Sequence, residues 1–339
     1  MSFSVGIVGL PNVGKSTLFK VLTKREVEIS PRPFTTIKPN IGQVRVPDAR
    51  LEKIAKLVKP EKVTPTTIEF IDIAGLVKGA HKGEGLGNQF LSHIRNCDSI
   101  LFVLRAFENP EVENVLGEIN PQKEFEILKI ELLMKDLETI EKAIQKAERK
   151  KEQKKLRILE KIKEKISEGK MISEIDLNEE EQEKIKEYQF LTQKPYFSVV
   201  NINGRTNFGE IKFPHLKMNL KEEKEMLEFT KEERKELGIE SRIEELIENC
   251  YKILNLITFY TIAGGKETRA WTIKEGSLAP DAGGVVHSDF KEKFIKAEVI
   301  NFSDFIKVES WQKAKEMGFL KIVGKDYKVK DGDIIEFKI

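Results

Sequence analysis

Hydrophobic and polar positions follow two rhythms along this chain. Short apolar runs at residues 3–8, 66–72, 99–105 and 196–201 read as strands, the last two continuous enough to be buried on both faces of a parallel sheet. Residues 41–46 alternate apolar with polar, as a half-buried strand does. Residues 18–22, residues 90–94 and the set Leu51, Ile54, Ala55, Leu57 and Val58 have helical spacing. From 122 to 188 the rhythm changes. Ile130, Leu133, Leu137, Ile140, Ile144 and Ala147 recur by alternating steps of three and four, an a/d seam, and Leu156, Leu159, Ile162 and Ile166 make a shorter stripe. This predicts two antiparallel helices inserted as a hairpin into an α/β domain. After a helical stretch at 239–251, strand-like runs at 257–262, 269–273 and 334–337, divided by turns such as Asp331-Gly332, predict a small α+β module with Trp271 and Phe290 in its core.

Composition narrows the possibilities. A chain of 339 residues is long enough for two or three domains, and 58 Lys+Arg against 56 Asp+Glu leave a net charge of only +2, so overall charge does not announce a nucleic-acid binder. A local patch does exist at the expected hairpin tip, where Arg149, Lys150, Lys151, Lys154 and Lys155 could meet RNA phosphates or simply form a solvated helix end. Cys97 and Cys250 lack metal-ligand spacing and no signal-like leader precedes the first strand, which predicts a reducing cytoplasm. Apolar runs such as 100–104 fall far short of the ~20 residues that span a bilayer. Neither a membrane nor a DNA partner is expected.

The chemistry concentrates near the start. Residues 9–17, GLPNVGKST, satisfy G-x-x-x-x-G-K-[ST] between an expected strand and an expected helix. Glycines there let successive N–H groups and a helix N-terminus converge on phosphate oxygens. Lys15 adds a point charge, and Ser16 offers a hydroxyl to Mg²⁺. The phosphates are therefore expected on Asn12, Val13, Gly14, Lys15, Ser16 and Thr17. The proline-rich segment 30–40 reads as a loop that could supply a metal-binding threonine, Thr36 or its competitor Thr35. Asp72 ends a strand and begins D-x-x-G, the place of a carboxylate that holds Mg²⁺ through water, with the N–H of Gly75 near the last phosphate. A glycine-rich stretch containing Gly75, Gly83 and Gly85 is the expected switch. Leu76 stands where many GTPases have a water-orienting glutamine, so slow hydrolysis is expected, with His81 only a weak candidate base.

The strand ending at Asn201 should carry the base-reading element. Guanine-specific P-loop proteins use N-K-x-D there, but this chain has Asn201-Ile202-Asn203-Gly204. Without the carboxylate nothing rewards guanine, whereas Asn201 and the adjoining backbone can still bond an adenine edge. ATP is the expected nucleotide.

The motifs GLPNVGKST, PFTTIKPN, DIAGLVKGAHKGEGLGNQF, RAWTIKEGSLAPDAGGVVHSDF and KDGDIIEF, with the degenerate base motif, resemble the YchF/Obg-like ATPase family of ribosome-binding ATPases over essentially the whole chain. The resemblance implies an α/β P-loop NTPase domain (1–121 and 189–255) with an inserted α-helical coiled-coil hairpin (122–188), plus a C-terminal α+β β-grasp (TGS) domain (256–339). It implies slow Mg²⁺-dependent ATP hydrolysis coupled to binding of the ribosome, as the large subunit or the 70S particle, and of its RNA in translation or stress regulation. It selects Thr36 beside Ser16 for the metal and Asn201 with the Ile202 backbone for adenine. Three departures stand out: Gly204 where many relatives have glutamate, Asn114 where relatives commonly have a histidine discussed as catalytic, and a shorter hairpin. A neutral amide can position water but cannot act as a general base. Asn12 resembles an asparagine that coordinates K⁺ in related NTPases, which makes K⁺ a second expected cation. The alternatives are a GTPase of the same fold and an RNA- or ribosome-binding adaptor with nucleotide as a structural cofactor.

Overall fold

The computed structural model describes residues 3–24, 40–73, 86–204, 208–263 and 265–339. They form two compact units, one of residues 3–44 and 69–246, the other of 45–68 and 247–339.

The first unit is built on a sheet whose order places β1 (Ser4–Val8) between β4 (Thr67–Asp72) and β5 (Ser99–Ala106). Beyond β4 lies β2 (Asn40–Arg45), and beyond β5 lie β6 (Tyr196–Ile202) and β7 (His215–Met218). The pairs β4–β1, β1–β5, β5–β6 and β6–β7 are all parallel. Continuous burial of β1 and β5 explains their unbroken apolar runs. The chain leaves β1 toward one side of the sheet and later returns to the other. Ligands bind outside the carboxyl ends of the strands at such a switch point.

Between β5 and β6 the chain forms α4 (Pro121–Arg149) and α5 (Gln153–Ser167). Leu133, Ile140, Ala143 and Ala147 of α4 share a buried core with Ile158, Leu159, Ile162 and Ile166 of α5. The seam differs from the expectation in two ways. Ile130 is 52% exposed, because the contact with α5 begins further along α4. The core is also closed by Ile172, Leu177, Phe190 and Ile185, the last at the end of α6 (Glu179–Ile185). A third layer therefore covers what the heptad pattern describes as a two-helix contact. Asp136, buried, accepts hydrogen bonds from the N–H groups of Leu191 and Thr192 at 2.8 and 2.7 Å and from the Thr192 hydroxyl, tying α4 to the segment that leads into β6.

The second unit has a six-stranded sheet in the order β11 (Lys321–Val323), β10 (Lys296–Asn301), β12 (Asp333–Lys338), β8 (Leu256–Ala263), β9 (Glu267–Lys274), β3 (Lys62–Thr64). Trp271 and Phe290 pack half-buried against its core. Residues 45–68, assigned above to the nucleotide domain, belong here instead. The apolar face of α2 (Ala49–Val58) buries Leu51 and Ile54 against Tyr260, Ala270, Ile300, Phe305 and Ile334, and β3 pairs parallel with β9. Polar contacts reinforce this. Arg50 forks onto the Asp331 carboxylate at 2.6 and 3.3 Å, and the Tyr260 hydroxyl donates to Asp48. Periodicity showed that α2 has a face to bury, but not which sheet would bury it.

The helical core separates the two seam residues by experiment. Leu159→Ala should cost about 2–5 kcal/mol in denaturant unfolding, whereas Ile130→Ala should stay within about 0.5 kcal/mol of the parent.

Candidate functional site: a phosphate-binding loop at the carboxyl ends of the parallel strands

The loop of residues 9–14 joins β1 to α1 (Lys15–Lys24). Two residues with positive φ fold it back: Asn12 at 64° and Gly14 at 108°. Asparagine tolerates the first, but the second is glycine territory. A Cβ on Gly14 would also stand 2.6 Å from the Asn201 amide nitrogen. The turn aims the start of α1 at whatever sits above the loop, as an anion site requires.

Lys15 is buried, and its ammonium donates to the carbonyls of Gly9 (3.1 Å) and Leu10 (2.8 Å). Burial lowers its pKa to about 8, against the pull of Asp72 and Glu124. A cation so poorly hydrated gains more from an incoming phosphate than a solvated one would. Ser16 donates its hydroxyl to Asp72 at 3.3 Å. Burial raises the pKa of Asp72, opposed by the Ser16 hydroxyl, Lys15 and the Asn40 side chain. A hydroxyl and a desolvated carboxylate are oxygen donors suited to a small divalent cation, so these two side chains fit Mg²⁺. Strand register explains why distant residues meet here. Ile7 lies beside Asp72 and Arg105 beside Asn201, at the carboxyl ends of their strands.

Asn201 has a role that the sequence reading did not assign. It is 7% exposed; its amide donates to the Val13 carbonyl at 2.9 Å, and its carbonyl oxygen accepts from the N–H of Leu220 at 3.2 Å, at the start of α7 (Leu220–Glu225). The side chain thus holds the phosphate loop from behind. Asn203 is engaged as well, exchanging hydrogen bonds with the backbone of Glu108 at 2.7 and 3.1 Å. Among the described residues nothing lies within 4 Å of where a Gly204 side chain would begin. Ile202 ends β6, and Thr17 lies half-buried in the first turn of α1. Asn114 closes its own turn, donating to the Glu118 carbonyl at 2.8 Å and accepting from the Leu116 N–H at 3.1 Å. Thr35, Thr36, Gly75, Leu76, His81, Gly83 and Gly85 lie outside the described residues.

Two further residues were missed. Arg105, 3% exposed, ends the apolar run of β5 and gathers the carbonyls of Phe107, Asn109, Val112 and Glu113 at 2.9–3.4 Å. The Glu113 carbonyl also accepts from the Asn12 amide at 3.3 Å, so one buried guanidinium shapes the loop that touches the phosphate loop. Glu124, in the first turn of α4, accepts from the Arg105 N–H at 2.8 Å. Burial pushes its carboxyl up to about 7, against Arg105 and Lys15. In sequence, Arg105 looks like a strand leaving the core, and Glu124 like an acid placed for the helix dipole.

A family model described as a 50S ribosome-binding GTPase matches residues 4–202, and the YchF-GTPase C-terminal model, described as a protein of unknown function, matches 256–339. The chain is 45% identical to the ribosome-binding ATPase YchF of Pasteurella multocida, covering 100% of this chain and 99% of that protein. The chain belongs to the YchF family. The Bacillus subtilis ribosome-binding ATPase YchF is 42% identical over 100% of this chain and 99% of its own length. The solved structure of the Schizosaccharomyces pombe YchF GTPase superposes with a TM-score of 0.87 at 32% identity, covering 99% and 98% of the two chains. The YchF fold is thus shared over 99% of the chain, with the P-loop domain in residues 4–202.

The buried Glu124 offers a direct check. Its carboxyl keeps its proton in the folded state up to about pH 7, against an ordinary value of 4.5. The stability this contributes is fully present below about pH 4.5 and is lost as pH rises through 7. Glu124→Gln, still an acceptor for Arg105 but never charged, should match the parent near pH 4.5. It should exceed the parent by up to about 3 kcal/mol at about pH 8 in nucleotide-free urea unfolding.

Proposed function

We propose that this protein binds ATP with Mg²⁺, hydrolyses it slowly and couples nucleotide state to ribosome binding in the cytoplasm. The observation that carries this reading is the convergence of Lys15, Ser16 and Asp72 at the phosphate loop, beside a strand end that presents no carboxylate for guanine. The backbone of residues 12–17 and the Lys15 ammonium would hold the phosphates. Ser16, Thr36 and, through water, Asp72 would hold Mg²⁺, which neutralises phosphate charge when bound. Asn12 is the residue to hold K⁺. With the side chains of Asn201 and Asn203 engaged within the protein, adenine would be read by the remaining donor of Asn201 and the Ile202 backbone.

Ribosome binding rests on family membership, because the matched relatives are named ribosome-binding ATPases. Contact with the large subunit or the 70S particle and its RNA would fall to the helical hairpin of α4 and α5 and to residues 256–339, a TGS domain of β-grasp type. The Gly75–Gly85 stretch would switch them. Slow turnover follows from Leu76 after D-x-x-G and from an Asn114 amide already engaged in its own turn. Among the described residues no helix is long and apolar enough to cross a membrane.

A GTPase is the second reading, because the S. pombe relative and the family model of residues 4–202 are both described as GTPases. Titration with both nucleotides in Mg²⁺ decides between them. ATP should bind more tightly, and GTP bound at least about tenfold more tightly than ATP would overturn the assignment. Ribosome co-sedimentation in ATP, ADP and a non-hydrolysable analogue should differ between states, and Lys15→Ala should abolish the difference. Equal sedimentation in all three would leave the nucleotide as a structural cofactor of a ribosome-binding adaptor.

A further inference from the structure

Away from the nucleotide loop, the first unit contains a pocket of about 400 Å³, open to solvent, half of whose wall residues are cationic. Lys135, Lys142 and Lys146 reach it from one stripe of α4, Arg95 from the end of α3 (Leu86–Arg95), and Tyr188 from the turn that follows α6. Steps of seven and four along a helix return to the same face, so the three lysines line up over about three turns. Among the described residues the one carboxylate in the wall is Glu138, and it is taken up by Lys135 at 2.8 Å. Around the rim, Glu187 bonds Lys155 at 2.7 Å while also feeling Lys146. Asp136, within reach of the Arg95 charge, has its oxygens filled by Leu191 and Thr192.

Arg95 makes this more than a group of surface lysines. Its Nε–H is shielded from solvent and has no hydrogen-bond acceptor among the described residues. A shielded donor left unmatched is costly, and a guanidinium recovers this best from a planar or tetrahedral oxyanion. We propose that this cavity is a second anion site, separate from the nucleotide loop, that takes a phosphate group. Arg95 donates from the wall, and Lys142 and Lys146, both exposed, close over the phosphate from the solvent side. The cavity has room for a phosphate with its ester substituent, and the phosphate could be free or part of an RNA backbone. No residue of its wall belongs to the nucleotide loop or to the hairpin tip.

The test uses the full chain with its nucleotide loop filled by a non-hydrolysable ATP analogue and Mg²⁺. Inorganic phosphate is titrated calorimetrically, and a short single-stranded RNA by fluorescence anisotropy. Arg95→Met should weaken phosphate binding about tenfold or more. The double variant Lys142→Ala/Lys146→Ala should weaken it about three- to fivefold, with the loss shrinking at high salt. Parallel losses in the RNA titration assign the phosphate to a nucleic-acid backbone; losses confined to inorganic phosphate assign it to a small molecule. Absence of saturable phosphate binding overturns the proposal, as does binding that both variants leave unchanged. The double variant lies on an exposed helix face, so it decides the matter alone should Arg95→Met fail to fold.

Discussion

A phosphate-binding loop must meet two opposed demands: its amides must stay open toward the ligand, while the loop itself must be held rigidly. In this protein the second demand falls on the Asn201 side chain, which joins the Val13 carbonyl to the N-terminus of α7 from the far side of the loop. Gly14 follows from that arrangement, since any side chain there would collide with the amide. So does the position of β6, whose carboxyl end delivers Asn201 to the loop. A residue expected from its motif to read a base is thus first a structural one.

Charge is arranged around the same loop. Lys15 is desolvated beside two carboxylates, Asp72 and Glu124, which belong to different elements and serve different ends. Asp72 lies against Ser16, where a divalent cation fits. Glu124 sits at the root of α4, bonded to the backbone of Arg105, whose guanidinium in turn shapes the loop touching Asn12. The long helix therefore starts within the electrostatic field of the phosphate site. Lys15 and Glu124 act on each other's charge with little water around them to screen it.

The helical segment and the second unit show how burial overrides linear order. The seam on α4 is covered by α5 and also by residues 172–190, and the face of α2 is covered by strands that come some 200 residues later. In each case an apolar stripe took the partner that removed it from water, wherever in the chain that partner lay.

The sequence by itself determined the phosphate loop, the strand-ending Asp72 beside it, the parallel strands and the two long helices. Those signals are local: a glycine and lysine spacing, an apolar run, a repeat of three and four. It also carried the family, because its motifs extend along the whole chain. Only the tertiary structure decided that residues 45–68 join the C-terminal sheet and that Ile130 faces water. It also decided that Asn201 supports the loop, that Arg105 and Glu124 are buried and hydrogen-bonded to each other, and that Arg95 lines a pocket beside α4. The physical reason is the same for each. A pattern along the chain states that a face must be buried or a charge matched, whereas the partner that does so is chosen by packing between segments far apart in sequence.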